Sequence, residues 1–322
     1  MEQSVESLSF ELGNHSLPCR SISQNTHCEF QWGDTWIDTT AYSFYVNSVG
    51  VAAQALILIG MGSLADHGSA RKSLMLTFGL LGGISTLCFM FVNDSSLFWV
   101  IALLSIFSNI CFGTSWVFYN AYLPVLTKHQ PKVKEAYRLD PSNVSIISDK
   151  TANRLSANAF GYGYSGGILA LLCTVGILFT LQVDKMSKLL YAISFTGAWW
   201  LIFMPISVVY LKSRPGPPLP DGESFFIYSY KRVYHTFRKA TKFAEIMKYL
   251  AAWLLLSDSV NTIIVVAVLF AKTVLGASIE TLISLCGLVP LCAIFGACNI
   301  YLLNRKMGFY QSRKNLNYKQ KR

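Results

Sequence analysis

The sequence predicts an all-α integral membrane protein that crosses the bilayer about seven times. Three observations predict it. Apolar residues make up 52% of the 322-residue chain. Charged residues are only 14% and fall in blocks. Between the blocks lie seven apolar stretches, at 40–61, 74–92, 97–118, 159–181, 189–211, 249–270 and 281–303. Each is close to the ~20 residues a helix needs to cross the hydrocarbon core. Inside a bilayer the backbone must bond to itself, which leaves helices or a closed barrel. A barrel needs shorter strands of alternating polarity, and these stretches do not alternate.

The formal net charge of +10 raises nucleic acid as a partner, but its placement points elsewhere. Put the N-terminus outside and let the loops alternate. Then 23 of the 27 Lys and Arg fall inside, in 62–73, 119–158, 212–248 and 304–322, and four fall outside. That is the positive-inside asymmetry of a chain facing an anionic cytosolic leaflet. The lipid bilayer is the expected partner and nucleic acid is not. Six of the eight cysteines lie in the apolar stretches, where Cys acts as a small apolar residue. Cys19 and Cys28 share the outside arm and could pair in an oxidising lumen. The five histidines all lie outside the apolar stretches, and no zinc spacing is visible, so no metal and no cofactor are expected.

Along the chain, residues 1–39 form a polar outside arm without an apolar leader stretch. It carries the glycosylation sequon Asn14-His15-Ser16, and Trp36 suits the interfacial belt. Asn47 and Gln54 share one stripe of the first span, as polar contacts between helices do. Residues 40–211 make a first bundle of five spans. The linker, 212–248, opens with the stiff spacer Arg214-Pro-Gly-Pro-Pro-Leu-Pro220. It continues with Tyr230-Lys-Arg-Val-Tyr-His-Thr-Phe-Arg-Lys239, a basic, aromatic-laced stretch suited to the membrane surface. Residues 249–303 begin a second bundle with two spans, and 304–322 are a basic cytosolic tail.

Three places carry candidate function. The 62–72 loop combines Gly62, Asp66, Arg71 and Lys72. A carboxylate just past a helix end can bond backbone N–H groups or pair with a base on a neighbouring helix. The basic pair holds the loop in the cytosol. Asp258 is the sole charge within the seven stretches and sits near mid-membrane, where an Asp costs about 2.5–3.5 kcal/mol. Such residues face a cavity or a partner. Asn261 shares its face. Gly163 and Gly167 have GxxxG spacing, which suits helix packing.

Taken in order, the motifs resemble the autophagy-related protein 22 family of vacuolar amino-acid effluxers in the major facilitator superfamily. The resemblance rests on Trp36-Ile-Asp38, Ala65-Asp66-His67-Gly68 with Arg71-Lys72, and Tyr119-Asn120-Ala121 with Leu123-Pro124. It continues through Asn153-Arg154-Leu-Ser156, Gly163-Tyr164-Ser-Gly166-Gly167, Leu256-Ser257-Asp258 and Asn261-Thr262-Ile263. It implies a partial major-facilitator-type bundle in the vacuole membrane. It also implies export of neutral amino acids to the cytosol after autophagic degradation, by alternating access. Asp258, Asn261 and Asn120 become candidates for the substrate or proton pathway, and the 62–72 loop for a cytosolic gate. Family members are similar to twelve-helix facilitators, so the seven spans would be the second to the eighth, and truncation at both ends is expected. A chain of that kind could be a non-transporting fragment. A seven-helix receptor is the other alternative. However, Trp116-Val-Phe-Tyr-Asn120 and Val289-Pro290-Leu291 lack the acidic-Arg-aromatic and Asn-Pro-x-x-Tyr signatures of that class. No catalytic constellation is evident, so an enzyme is not expected.

Overall fold

A computed structural model describes residues 10–11, 14–18, 28–32, 34–92, 94–183, 185–218, 224–239, 242, 244–277 and 287–296. The strands are β1 (Phe10–Glu11), β2 (Asn14–Pro18), β3 (Cys28–Trp32) and β4 (Thr35–Asp38). The helices are α1 (Thr39–Asp66), α2 (Arg71–Leu87), α3 (Phe98–Lys128), α4 (Pro131–Leu139), α5 (Val144–Thr180), α6 (Lys185–Tyr210), α7 (Phe225–Arg238), α8 (Ala244–Thr273) and α9 (Gly287–Gly296). Six of the described helices, α1, α2, α3, α5, α6 and α8, are long and apolar enough to cross a membrane. They coincide with six of the seven predicted spans. Of the seventh, 281–303, only the stretch forming α9 is described. The tail 304–322 lies outside the described residues. Two compact units divide the chain: 1–121 with 177–282, and 122–176 with 283–322.

In the first unit the segment before α1 is more than a tether. β2-β1-β3-β4 form an antiparallel sheet in that order, and β3 and β4 make a hairpin pairing Glu29 with Asp38 and Trp32 with Thr35. β4 runs straight into α1, whose first turn is capped where Asp38 Oδ1 accepts the Ala41 N–H at 3.0 Å. Phe30, 1% exposed, points from the sheet onto α1 and α3. Its ring meets Tyr42 at 5.3 Å and Phe98 at 5.5 Å, both edge-on. Cys28 is disulfide-bonded; Cys19, with which it was expected to pair, lies outside the described residues. The strands are too short, and the alternation too brief, to announce a sheet in the sequence.

Between the membrane helices, hydroxyls tie α2 to α3. Ser85 Oγ donates to the Leu104 carbonyl at 3.2 Å, and Ser115 Oγ to that of Met75 at 3.0 Å. The Gln54 side chain of α1 sits where a Cβ on Gly113 of α3 would be. Among the described residues α2 and α6 bring backbone close to backbone. A Cβ on Gly197 would lie 2.5 Å from the Leu87 nitrogen and 2.9 Å from the Gly83 carbonyl oxygen.

In the second unit α5 is longer than the span predicted from 159. Its 37 residues reach about 55 Å at 1.5 Å each, well past a core of about 30 Å. The added turns come from 144–158, polar but free of Gly and Pro. Just before them, Asp140 accepts bonds from Asn143 Nδ2 and Ser142 Oγ, each at 2.7 Å. Those bonds hold its carboxyl below its ordinary value of 3.8.

A candidate latch between a helix loop and the linker

The loop between α1 and α2 is built to satisfy helix ends. Gly68 turns the chain with φ of 70°, a conformation glycine adopts without strain. The last carbonyls of α1 have no partner within the helix. Arg71, 6% exposed, supplies one: its Nε donates to the Ala65 carbonyl at 2.6 Å and its Nη2 to that of Asp66 at 3.5 Å. Lys72 does the same for a different helix, donating from Nζ to the Val208 carbonyl in the last turn of α6 at 2.8 Å. Each cation therefore sits at the negative end of a helix dipole.

The linker closes onto this loop. The Gly216 N–H donates to the Gly68 carbonyl at 2.8 Å, and the Gly68 N–H to that of Pro217 at 3.0 Å. Gly216 lies against the Asp66 carbonyl so closely that a Cβ would collide with it. Downstream, α7 packs along α1. Arg232 Nη1 donates to Asp66 Oδ2 at 3.0 Å, with the two side chains 51% and 55% exposed. The Tyr230 hydroxyl donates to the Leu56 carbonyl at 2.8 Å, and the His67 and Tyr228 rings meet edge-on at 5.6 Å. Arg232, Tyr230 and Gly216 escaped the sequence reading. The only signal was the Pro-Gly-Pro turn followed by a basic aromatic stretch, which says that the linker is special but not what it touches.

Gly62 lines a cavity beside the clasp, one turn before Asp66, and among the described residues a Cβ there would meet nothing within 4 Å. The remaining predicted residues take no part in the clasp. Asp258 and Asn261 are exposed on α8 and make no side-chain hydrogen bond among the described residues. Asn120 is exposed on α3, and its amide donates to the Trp116 carbonyl of its own helix at 2.9 Å. Among the described residues a Cβ on Gly163 or Gly167 of α5 would meet nothing within 4 Å. A close backbone approach is seen at Gly83 and Gly197, and its trace in the sequence is the run Gly79-Leu-Leu-Gly82-Gly83. Among the described residues no group of three or more His, Cys, Asp or Glu is placed to hold a metal.

A chain with these spans and this loop matches, over residues 1–316, the family model described as "Vacuole effluxer Atg22 like". It is 29% identical to autophagy-related protein 22-1 of Penicillium rubens, across 86% of this chain and 55% of that protein. It is 32% identical to autophagy-related protein 22 of Coccidioides immitis, across 76% and 47%. With autophagy-related protein 22-1 of Aspergillus niger the identity is 30%, across 84% and 52%. The chain thus spans about half the length of the curated relatives it matches. No solved structure matches it.

Proposed function

This chain belongs to the family of Atg22-like vacuole effluxers, and from that membership we propose that it works in a transporter that moves neutral amino acids from the vacuole lumen to the cytosol. It is a multi-pass protein of the vacuole membrane. Transport proceeds by alternating access, with helix bundles rocking about a site near mid-membrane. Asp258 and Asn261 on α8 and Asn120 on α3 line that path. Asp258 takes the substrate's ammonium group or a coupling proton, which explains a charge at a depth where charge is costly. The open face at Gly163 and Gly167 leaves room for a neighbouring helix to approach α5.

The observation that carries the reading is the clasp of the 66–72 loop onto the linker. A transporter of this kind needs a cytosolic end that closes and reopens. Here the closure includes two backbone bonds, the Tyr230–Leu56 bond and a half-exposed ion pair, and pairs of that kind are worth only about 0–1 kcal/mol. Arg71 and Lys72 satisfy the ends of α1 and α6 without using the linker's side chains. At the opposite end, the Cys28 disulfide belongs in an oxidising compartment, in keeping with a luminal sheet.

The test is leucine counterflow in sealed vesicles containing the purified protein. Flux above protein-free vesicles, lost on Asp258→Asn while the protein stays monodisperse, is the expected result. Equal flux with and without protein would remove the reading. Normal flux in Asp258→Asn would remove that residue from the path.

A further inference from the structure

Beside the latch, α1, α7 and α8 line a half-open cavity of about 530 Å³. Ile59, Met247, Leu250 and Leu254 supply apolar wall, and Asp66 and Arg232 supply one carboxylate and one guanidinium. We infer that this cavity is a second, cytosol-facing site, where an α-amino acid with an apolar side chain replaces the Asp66–Arg232 ion pair and loosens helix α7. The inference rests on neutral amino acids being the cargo, and it places one of them away from Asp258.

The chemistry selects the ligand. Small-molecule sites are mostly apolar, with a few convergent polar groups that fix orientation. A zwitterion offers its ammonium to Asp66 and its carboxylate to the planar fork of Arg232, which favours a two-bond grip. One acid and one base sum to zero, so a net-charged amino acid would leave a charge without a partner. The apolar wall takes the side chain. Replacing the ion pair is easy because each partner exchanges one opposite charge for another, and the existing pair is half in solvent. The exchange removes the ion-pair tie between α1 and α7. What remains is the Tyr230–Leu56 bond and the Gly68 clasp to Gly216 and Pro217. Amino acid accumulating in the cytosol thereby acts on the gate directly.

The experiment uses Thr236→Cys, an exposed cavity-lining position, in the purified full chain, with alkylation at 236 read by peptide mass spectrometry. Leucine near saturation should slow alkylation by about tenfold, as an occupied site requires. Leucinamide, which lacks the carboxylate, and 4-methylpentanoate, which lacks the ammonium, should not slow it. Neither should lysine or glutamate. Asp66→Asn and Arg232→Gln should each abolish protection. Leu250→Trp, which keeps the ion pair and fills the cavity, should abolish it too, so the test survives a charge variant that folds poorly. Absence of leucine protection overturns the inference. So does equal protection by 4-methylpentanoate, which would mark an acyl-carboxylate site, and so does protection that persists in both charge variants. The readout needs no transport. Protection without leucine flux sinks the transport reading and leaves this site standing, whereas flux without protection does the reverse.

Discussion

At one end of helix α1 the buried rings of Phe30 and Tyr42 meet Phe98 ring against ring, while at the other end Asp66 meets Arg232 with half of each side chain in solvent. The same helix, α1, takes part in both. Burying an aromatic ring stabilises by several kcal/mol and ignores salt. An exposed ion pair contributes little and is screened. One end of α1 is therefore bolted and the other merely latched. On the transport role proposed above, the weak contacts lie where separation is needed and the strong ones where it is not.

The sharpest way to break this comparison is Phe30→Ala. Loss of a ring that is 1% exposed should cost about 3–5 kcal/mol, read as a large fall in the thermal midpoint of the detergent-purified protein that salt does not alter. A fall no larger than that of a surface variant would show that the sheet is not bolted.

Next in size is Gly197→Leu, which forces apart the α2–α6 contact at Gly83 and should destabilise by about 1–3 kcal/mol or more. Gly163→Leu on the open face of α5 should stay within about 0.5 kcal/mol of the parent. A reversed order in thermal unfolding would mean that the glycine contact had been put on the wrong helix pair.

At the latch, Asp66→Asn should change global stability by at most about 1 kcal/mol. Its signature is local: faster trypsin cleavage within 231–239. Salt at about 1 M, where the screening length falls to about 3 Å, should speed cleavage of the parent towards the variant. Cleavage that depends on neither salt nor Asp66 would show that the ion pair does not hold α7.

The smallest effect belongs to Asp140, another exposed polar contact, in the second unit. Bonds from Asn143 and Ser142 lower its folded pKa, so its contribution is present above the ordinary carboxylate range and is lost as pH falls through the depressed value. An acid titration of Asp140→Asn should lack that component, and a variant that instead destabilises at neutral pH would assign the residue a larger structural part.

Hydrophobicity and charge are local properties, and what depends on them could be read from residues alone. The spans from 40 to 270 are legible because each is a run long enough to cross the core. The expected sidedness rests on 23 of 27 basic residues falling on one set of loops. That Asp66 could pair with a base, or else bond backbone N–H groups, was legible too. Which base it meets was not, because Arg232 lies 166 residues further along and reaches Asp66 only when α7 folds back on α1. The sheet of the outer arm depends on pairing between strands of two to five residues, and the Gly83–Gly197 approach on two helices meeting at one height. Both are decided by where the chain returns in space, which the folded structure settles because a contact needs both partners in place and a sequence motif names only one.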